Sequence, residues 1–306
     1  MQAANDVLVD FDKRFGVGGS AGDGDRVMTF YPAIPLDGYL GWRVFEKSAD
    51  RQFEIFQKSP DIVRNMDYFL ENIEKATSAE KLVNDRKLLT VALGAYGLAD
   101  EIDKKAFIKK ILVEGTEFSD SFANRLSDPK WRDFARDFGY GNFTGPRVGN
   151  EAFRERTANN YLERAFEERV GEVNTDMRLA MNFRREISRI AEGANVDTSG
   201  WFQIMGQTPL RTVMEAALGL PTSIGTADID KQKELFERKA EQIFGGKSPS
   251  VFKDPVKVED ALRRFFLQTE IRNGPSESTP GMAALTMLSG GNQSGNLFTS
   301  NILTLL

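Results

Sequence analysis

Helix start and stop signals recur along the middle of this chain. A side chain that can cap a helix stands directly before a proline at four places, and proline is favoured at the first helical position. These pairs are Ser59-Pro60, Asp128-Pro129, Thr208-Pro209 and Asp254-Pro255. Glycine, which suits a left-handed C-cap, follows six apolar runs. These glycines are Gly97, Gly115, Gly139, Gly219, Gly245 and Gly274. The signals therefore predict a succession of helices.

The apolar residues between these signals recur with helical spacing. The run after Pro60 consists of Ile62, Val63, Met66, Phe69, Leu70 and Ile73. These positions trace one stripe of a 3.6-residue period, and no stretch of similar length alternates with the period of a strand. We therefore predict an all-α, multihelical fold. Residues 30–43 contain two prolines and two glycines, and we expect an extended segment there, anchored on the helical body.

Residues 150–192 contain no proline, which predicts one long helix near 150–192 with a bend at Gly171 or at Asn174-Thr175. The charged residues of this helix indicate a solvent-exposed outer face. Arg164 and Glu168 on this face are four residues apart and can form an ion pair across one turn.

The chain contains a short internal repeat. Leu88-x-Thr90-Val91, followed by Gly97-Leu98, recurs as Leu210-x-Thr212-Val213, followed by Gly219-Leu220. Duplication of a helical unit and chance similarity between amphipathic helices both explain it.

Composition shifts divide the chain into four parts. We predict a flexible, glycine-rich segment over 1–29, a first helical module over 30–145, a second module over 146–274, and a tethered tail over 275–306.

The chain of 306 residues contains no histidine and no cysteine. This excludes Ser-His-Asp and Cys-His catalysis, zinc sites that need these ligands and a haem held by histidine. The net charge of −5 argues against a nucleic-acid partner. The start of the chain lacks the features of a cleavable signal peptide. The longest near-apolar run, Leu88–Ala99, is about half of the ~20 residues needed to cross a bilayer. We predict no catalytic residue, cofactor or metal site, although paired carboxylates could still hydrolyse a glycan.

Several motifs resemble a bacterial family, the domain of unknown function 1217. They are Pro35-x-x-Gly38-Tyr39-x-Gly41-Trp42-Arg43, Leu82-Val83-x-Asp85-Arg86-x-Leu88-Leu89-x-Val91, Ala92-Leu93-Gly94-Ala95-Tyr96-Gly97-Leu98 and Ala123-Asn124-Arg125-Leu126-x-Asp128-Pro129. The resemblance implies an alphaproteobacterial protein whose gene often lies beside flagellar rod and hook genes. It implies a flagellar structural or assembly role, with rod or hook components as partners, and no reaction or cofactor.

Two groups of residues are predicted to contact a protein partner. Tyr39, Trp42 and Arg43 are the expected surface candidates, because aromatic residues and arginine supply most binding hot spots. The apolar end of the chain must dock on its own body or on a partner. Its candidates are Leu297, Phe298, Ile302, Leu303, Leu305 and Leu306.

We therefore expect a non-enzymatic helical protein with a structural or assembly role in the bacterial flagellum, acting by protein–protein binding. A cytoplasmic chaperone or export adaptor for a flagellar subunit and a carboxylate-based glycan hydrolase are the alternatives. The expected location is the bacterial cytoplasm or the flagellar basal body.

Overall fold

The structure, a computed structural model, describes residues 30–126 and 128–273. Within these ranges the chain forms thirteen α-helices and no β-strand, which confirms the all-α prediction. The helices are α1 (Gly38–Gln57), α2 (Pro60–Asn72), α3 (Ala79–Asn84), α4 (Arg86–Gly94), α5 (Lys105–Glu114), α6 (Phe122–Arg125), α7 (Pro129–Phe138), α8 (Glu151–Val173), α9 (Thr175–Ala191), α10 (Val196–Met205), α11 (Thr208–Ala217), α12 (Ile229–Phe244) and α13 (Pro255–Asn273). None of the described helices is long and apolar enough to cross a bilayer.

Most predicted helix ends are confirmed. Asp128 accepts a hydrogen bond from the Lys130 amide at the start of α7, at 2.9 Å, and Asp254 caps α13 in the same way. The start of α11 is one residue earlier than predicted, since Gln207 is its N-cap. Five of the six glycines that are predicted to end helices have a positive φ, and the sixth, Gly274, lies outside the described residues.

Residues 30–37 are extended and run antiparallel to α1. The Gln52 side chain accepts from the Ala33 amide at 2.8 Å and donates to the Ala33 carbonyl at 3.1 Å. Nearer the start of α1, a Cβ on Gly41 would lie 1.9 Å from the Leu36 carbonyl oxygen. The anchored segment is therefore confirmed, but it is shorter than expected because α1 already begins at Gly38.

The single long helix predicted near 150–192 is wrong, because α8 and α9 replace it. Asn174 separates them with an extended backbone (φ −146°, ψ 107°), and its side chain caps α9 by accepting from the Met177 amide at 3.0 Å. The chain reverses there, so that a Cβ on Gly171 would lie 2.3 Å from Arg178 Cδ. The two helices form an antiparallel hairpin.

Helix α4 is largely buried in the core. Its buried residues are Leu88, Leu89, Val91, Ala92, Leu93 and Gly94. A Cβ on Gly94 would lie 2.7 Å from the Tyr161 ring, so glycine allows α8 to approach closely. The core continues from Trp42 to Phe266 and includes residues of both predicted modules. The division into modules stays a prediction.

The two copies of the internal repeat have the same local geometry. Gly97 and Gly219 have φ values of 68° and 64°. The next residue in each case, Leu98 or Leu220, donates its amide to the carbonyl five residues before it, at 2.9 and 2.8 Å. This is a Schellman C-cap. The shared cap explains the shared sequence, and duplication stays a prediction.

Candidate functional site

The predicted contact residues of α1 lie in its first two turns. Arg43 is exposed and pairs with Glu46 at 2.9 Å, and Tyr39 is half-buried. Trp42 is only 1% exposed, so its expected place on the surface is wrong. Because α1 begins early, it turns Trp42 inward, where the indole stacks on Phe266 with ring centroids 5.6 Å apart. The predicted contacts at Leu297, Phe298, Ile302, Leu303, Leu305 and Leu306 lie outside the described residues.

A groove of about 560 Å³ runs between α1 and the α8–α9 hairpin; we call it the α1 groove. Its apolar floor consists of three partly exposed residues that overlie three buried aromatic rings. The partly exposed residues are Ala49, Phe53 and Met181, and the buried rings are those of Trp42, Phe45 and Phe166. Its charged rim is formed by Glu46, Asp50, Glu163, Glu167, Arg184 and Arg185. The groove therefore combines an aromatic floor with a rim that carries two more carboxylates than guanidiniums.

Phe166 of α8 organises the floor. Its ring centroid lies 5.3 to 6.4 Å from those of Phe30, Phe45, Phe53 and Phe56. Such edge-on and offset pairs add about 0.5–1.5 kcal/mol each beyond the area they bury. The cluster joins the extended segment, α1 and α8, and makes the floor a fixed surface.

Two carboxylates of the rim are free. Asp50 and Glu163 are exposed and have no ion-pair or hydrogen-bond partner among the described residues. Glu167, by contrast, accepts two hydrogen bonds from Arg185, at 2.8 and 3.0 Å. Asp50 and Glu163 are therefore available to a cationic ligand.

Arg184 forms a junction between three helices at the groove wall. Its guanidinium lies 4.8 Å from the centroid of the Trp42 ring and pairs with Glu46 of α1 and Glu259 of α13. Trp42 Nε1, Arg184 Nε and one Glu259 oxygen are buried without a hydrogen-bond partner among the described residues. A buried polar group left unpaired costs about 1–3 kcal/mol. These unpaired atoms lie inside the junction, so they weaken it and do not offer hydrogen bonds to a ligand in the groove.

A buried charge network locks the α8–α9 hairpin below the groove. Glu186 accepts from Arg164 at 3.1 Å and from Arg189 at 2.9 and 3.0 Å, and it also pairs with Arg185. Burial raises the pKa of Glu186, but the three guanidiniums outweigh burial and hold this pKa below its usual value. Glu186 is therefore ionised at neutral pH and binds the two helices together.

The predicted solvated face of α8 is wrong at two positions. Glu167 is buried, and Arg164 bonds to Glu186 across the hairpin rather than to Glu168 on its own helix. Chain reversal at Asn174 brings α9 over this face, which spacing within α8 does not show.

Sequence reasoning missed Arg184, although a signal was present. Arg184 lies seven residues after Met177, four after Ala180 and three before Ile187, all of which are buried. It thus interrupts the apolar stripe of an amphipathic helix, where a charge is unusual unless it is paired.

Two further cavities among the described residues are lined largely by charged and polar side chains. In a cavity of about 540 Å³, Asp61 pairs with Arg169 at 3.2 Å. In one of about 380 Å³, Asp137 accepts from the Tyr96 hydroxyl at 3.0 Å. The α1 groove differs from both in its aromatic floor. Glu163 lines the smaller of these two cavities as well as the groove.

The fold and the groove define a class of multihelical all-α protein with an aromatic, acid-rimmed groove between helices. The chain belongs to the family described as "Protein of unknown function (DUF1217)", whose model matches residues 95–258, more than half of the chain. This confirms the family resemblance, although many of the motifs that suggested it precede residue 95.

The chain is also similar to a protein of known structure. The X-ray crystal structure of protein AGR_C_984 from Agrobacterium tumefaciens aligns with a TM-score of 0.63 and 26% sequence identity. The alignment covers 84% of this chain and 100% of that chain. Comparison with curated proteins finds no significant match.

Proposed function

We propose that this chain is a non-enzymatic helical protein that binds an amphipathic segment of a protein partner in the α1 groove. One observation carries the proposal: the aromatic floor around Phe166 lies beside two unpaired carboxylates, Asp50 and Glu163. Helix-in-groove recognition uses an apolar stripe to fill the floor, and opposite charges fix its orientation. The matching ligand is an amphipathic segment with lysine or arginine beside its apolar face.

We further propose that the partner belongs to the bacterial flagellum, as a component of the rod or hook, and that the chain has a structural or assembly role there. The support for this setting is the family resemblance and the gene neighbourhood that it implies. A basal-body location follows from the same proposal.

Charge reversal on the rim tests the binding site. Asp50→Lys with Glu163→Lys reverses both free carboxylates, and we expect the partner to be lost. Glu54→Lys with Glu155→Lys is the matched control, since it makes the same change of charge at exposed positions on the same two helices outside the groove. Each tagged full-length variant is purified from the native host, and the proteins it retains are identified by mass spectrometry.

The proposal predicts a protein retained by the wild type and by the control, and absent from the Asp50/Glu163 variant. Equal retention by all three variants would exclude the groove as the binding site. Fractionation then tests the setting: association with basal bodies supports the structural role, whereas a soluble pool that carries a bound subunit favours the chaperone alternative.

A further inference from the structure

We infer that the α1 groove holds a helix of the partner antiparallel to α1, and that the basic residues of this helix are concentrated in its first two turns. The inference rests on the proposed function. It adds the direction of the bound helix and the distribution of charge along it.

Helix α8 runs antiparallel to α1 along the groove. At the turn between α8 and α9, the Asn174 side chain donates to Asp37, directly before α1, at 2.8 Å. Eight residues earlier on α8, the Phe166 ring lies 5.3 Å from the ring of Phe53, near the end of α1. The start of α1 therefore lies at the hairpin turn, and its end lies further back along α8.

Helix α9 runs parallel to α1. A Cβ on Gly41 would lie 3.2 Å from Met177 Cε, and Arg184, two turns further along α9, pairs with Glu46. The groove therefore has two distinct ends. We call the end at the hairpin turn, beside Trp42, the near end, and the end beside Phe53 the far end.

The unpaired charge of the rim lies at the far end. Asp50 is two turns after Trp42 on α1, and Glu163 is one turn further from the hairpin turn than Phe166. Both carboxylates are exposed and unpaired. Lys130 lines the smaller cavity together with Glu163, but its ammonium contacts the Gly97 carbonyl oxygen, at 3.4 Å.

The near end carries no surplus of negative charge. Its carboxylate, Glu46, pairs with both Arg43 and Arg184, and Glu167 further along the rim pairs with Arg185 at 2.8 Å. The Arg184 side chain is 39% exposed. The potential along the groove is therefore negative at the far end and neutral to positive at the near end.

This gradient selects one direction for a bound helix. A helix carries about half a positive charge at its N-terminus and half a negative charge at its C-terminus. Its N-terminus therefore binds best beside Asp50 and Glu163, and its C-terminus beside Arg184. Lysine or arginine in the first two turns adds charge pairing with the same carboxylates. The groove, from Trp42 to Phe53, is about 16 Å long at 1.5 Å per residue, which accommodates about three helical turns.

Spin labels on α1 test the direction. The chain contains no cysteine, so an introduced cysteine takes a nitroxide label at one position only. Leu40→Cys and Glu54→Cys place the label beyond the near end and the far end, because both residues are exposed and neither lines the groove. The two positions are about 21 Å apart along α1.

The probe is an isotope-labelled synthetic helix of about four turns with blocked termini. It carries leucines spaced three and four apart, and its lysines are confined to the first two turns. NMR of the probe bound to the full-length protein shows which of its resonances each label broadens. We expect the label at position 54 to broaden the N-terminal half and the label at position 40 to broaden the C-terminal half.

A second peptide, with the lysines moved to its last two turns, tests the distribution of charge. We expect it to bind about threefold to tenfold more weakly, because in either direction it loses the charge pairing or the favourable dipole. Asp50→Lys with Glu163→Lys should abolish this preference between the peptides. The control, Glu54→Lys with Glu155→Lys, should keep it.

The opposite pattern of broadening, or equal broadening of both halves by each label, would overturn the inference. Equal affinity of the wild type for the two peptides would also overturn it. These results would leave the groove as the binding site, so the proposed function would stand. Failure of the wild type to bind either peptide would contradict both the inference and the proposed function.

Discussion

Glu186 joins the two helices that form one wall of the α1 groove, and Glu186→Gln measures what that junction contributes. Glutamine keeps the size of the side chain but loses its charge, and its amide group points N–H donors at guanidiniums. The hydrogen bonds from Arg164 at 3.1 Å and Arg189 at 2.9 and 3.0 Å are weakened or lost. Removing one partner of a buried ion pair costs about 3–5 kcal/mol. Because Arg189 is 59% exposed, we expect the lower end, a loss of about 3 kcal/mol of unfolding free energy.

Urea denaturation followed by far-UV circular dichroism measures the loss. Arg189→Gln is the control: it removes one exposed partner from the same carboxylate, and such pairs contribute about 1 kcal/mol or less. A loss for Glu186→Gln no larger than that of the control would refute the view that a buried charge network holds the hairpin together.

Three further predictions concern the same packing. Burial raises the pKa of Glu186, but the surrounding guanidiniums hold this pKa below its usual value of 4.5. The ionised carboxylate therefore contributes its whole stabilisation above about pH 4.5, and this contribution is lost as the pH falls through the pKa of Glu186 in the folded protein. Urea denaturation of the wild type from about pH 6 to pH 3 should show a steeper loss of stability than that of Glu186→Gln, and parallel curves would contradict this. Gly94→Ala should cost about 1–3 kcal/mol in the same assay, because the new Cβ would lie 2.7 Å from the Tyr161 ring; an unchanged denaturation midpoint would show that α8 moves aside freely. Asn174→Ala should lower the unfolding free energy by about 1 kcal/mol, because the hydrogen bond from the Met177 amide to the capping side chain is lost. A gain in stability would instead mean that α8 and α9 are more stable as one continuous helix.

Local signals in the sequence predicted local structure well. Asp128 and Asp254 mark helix starts because their side chains accept amides within the next turn, and Gly97 marks a stop because its φ is positive. The run from Leu88 to Gly94 is buried except at Thr90, as expected of a helix with almost no polar face.

The candidate site was predicted less well, because it depends on contacts between distant parts of the chain. Trp42 is placed on α1 by local rules, but its burial depends on Phe266 and Arg184, more than 140 residues later. Whether Arg164 meets solvent or Glu186 is decided by chain reversal at Asn174. Helical periodicity shows which residues share a face and does not show what covers that face.

Site-specific photo-crosslinking in the native host tests the central claim, partner binding in the α1 groove, most directly. A photo-reactive amino acid is placed at Asp50 in the groove or at Ile55, which is exposed on the opposite face of the same helix. The account predicts a crosslink from position 50 to an amphipathic, basic segment of a partner protein, and none from position 55. Crosslinks to a partner from position 55 alone would contradict it.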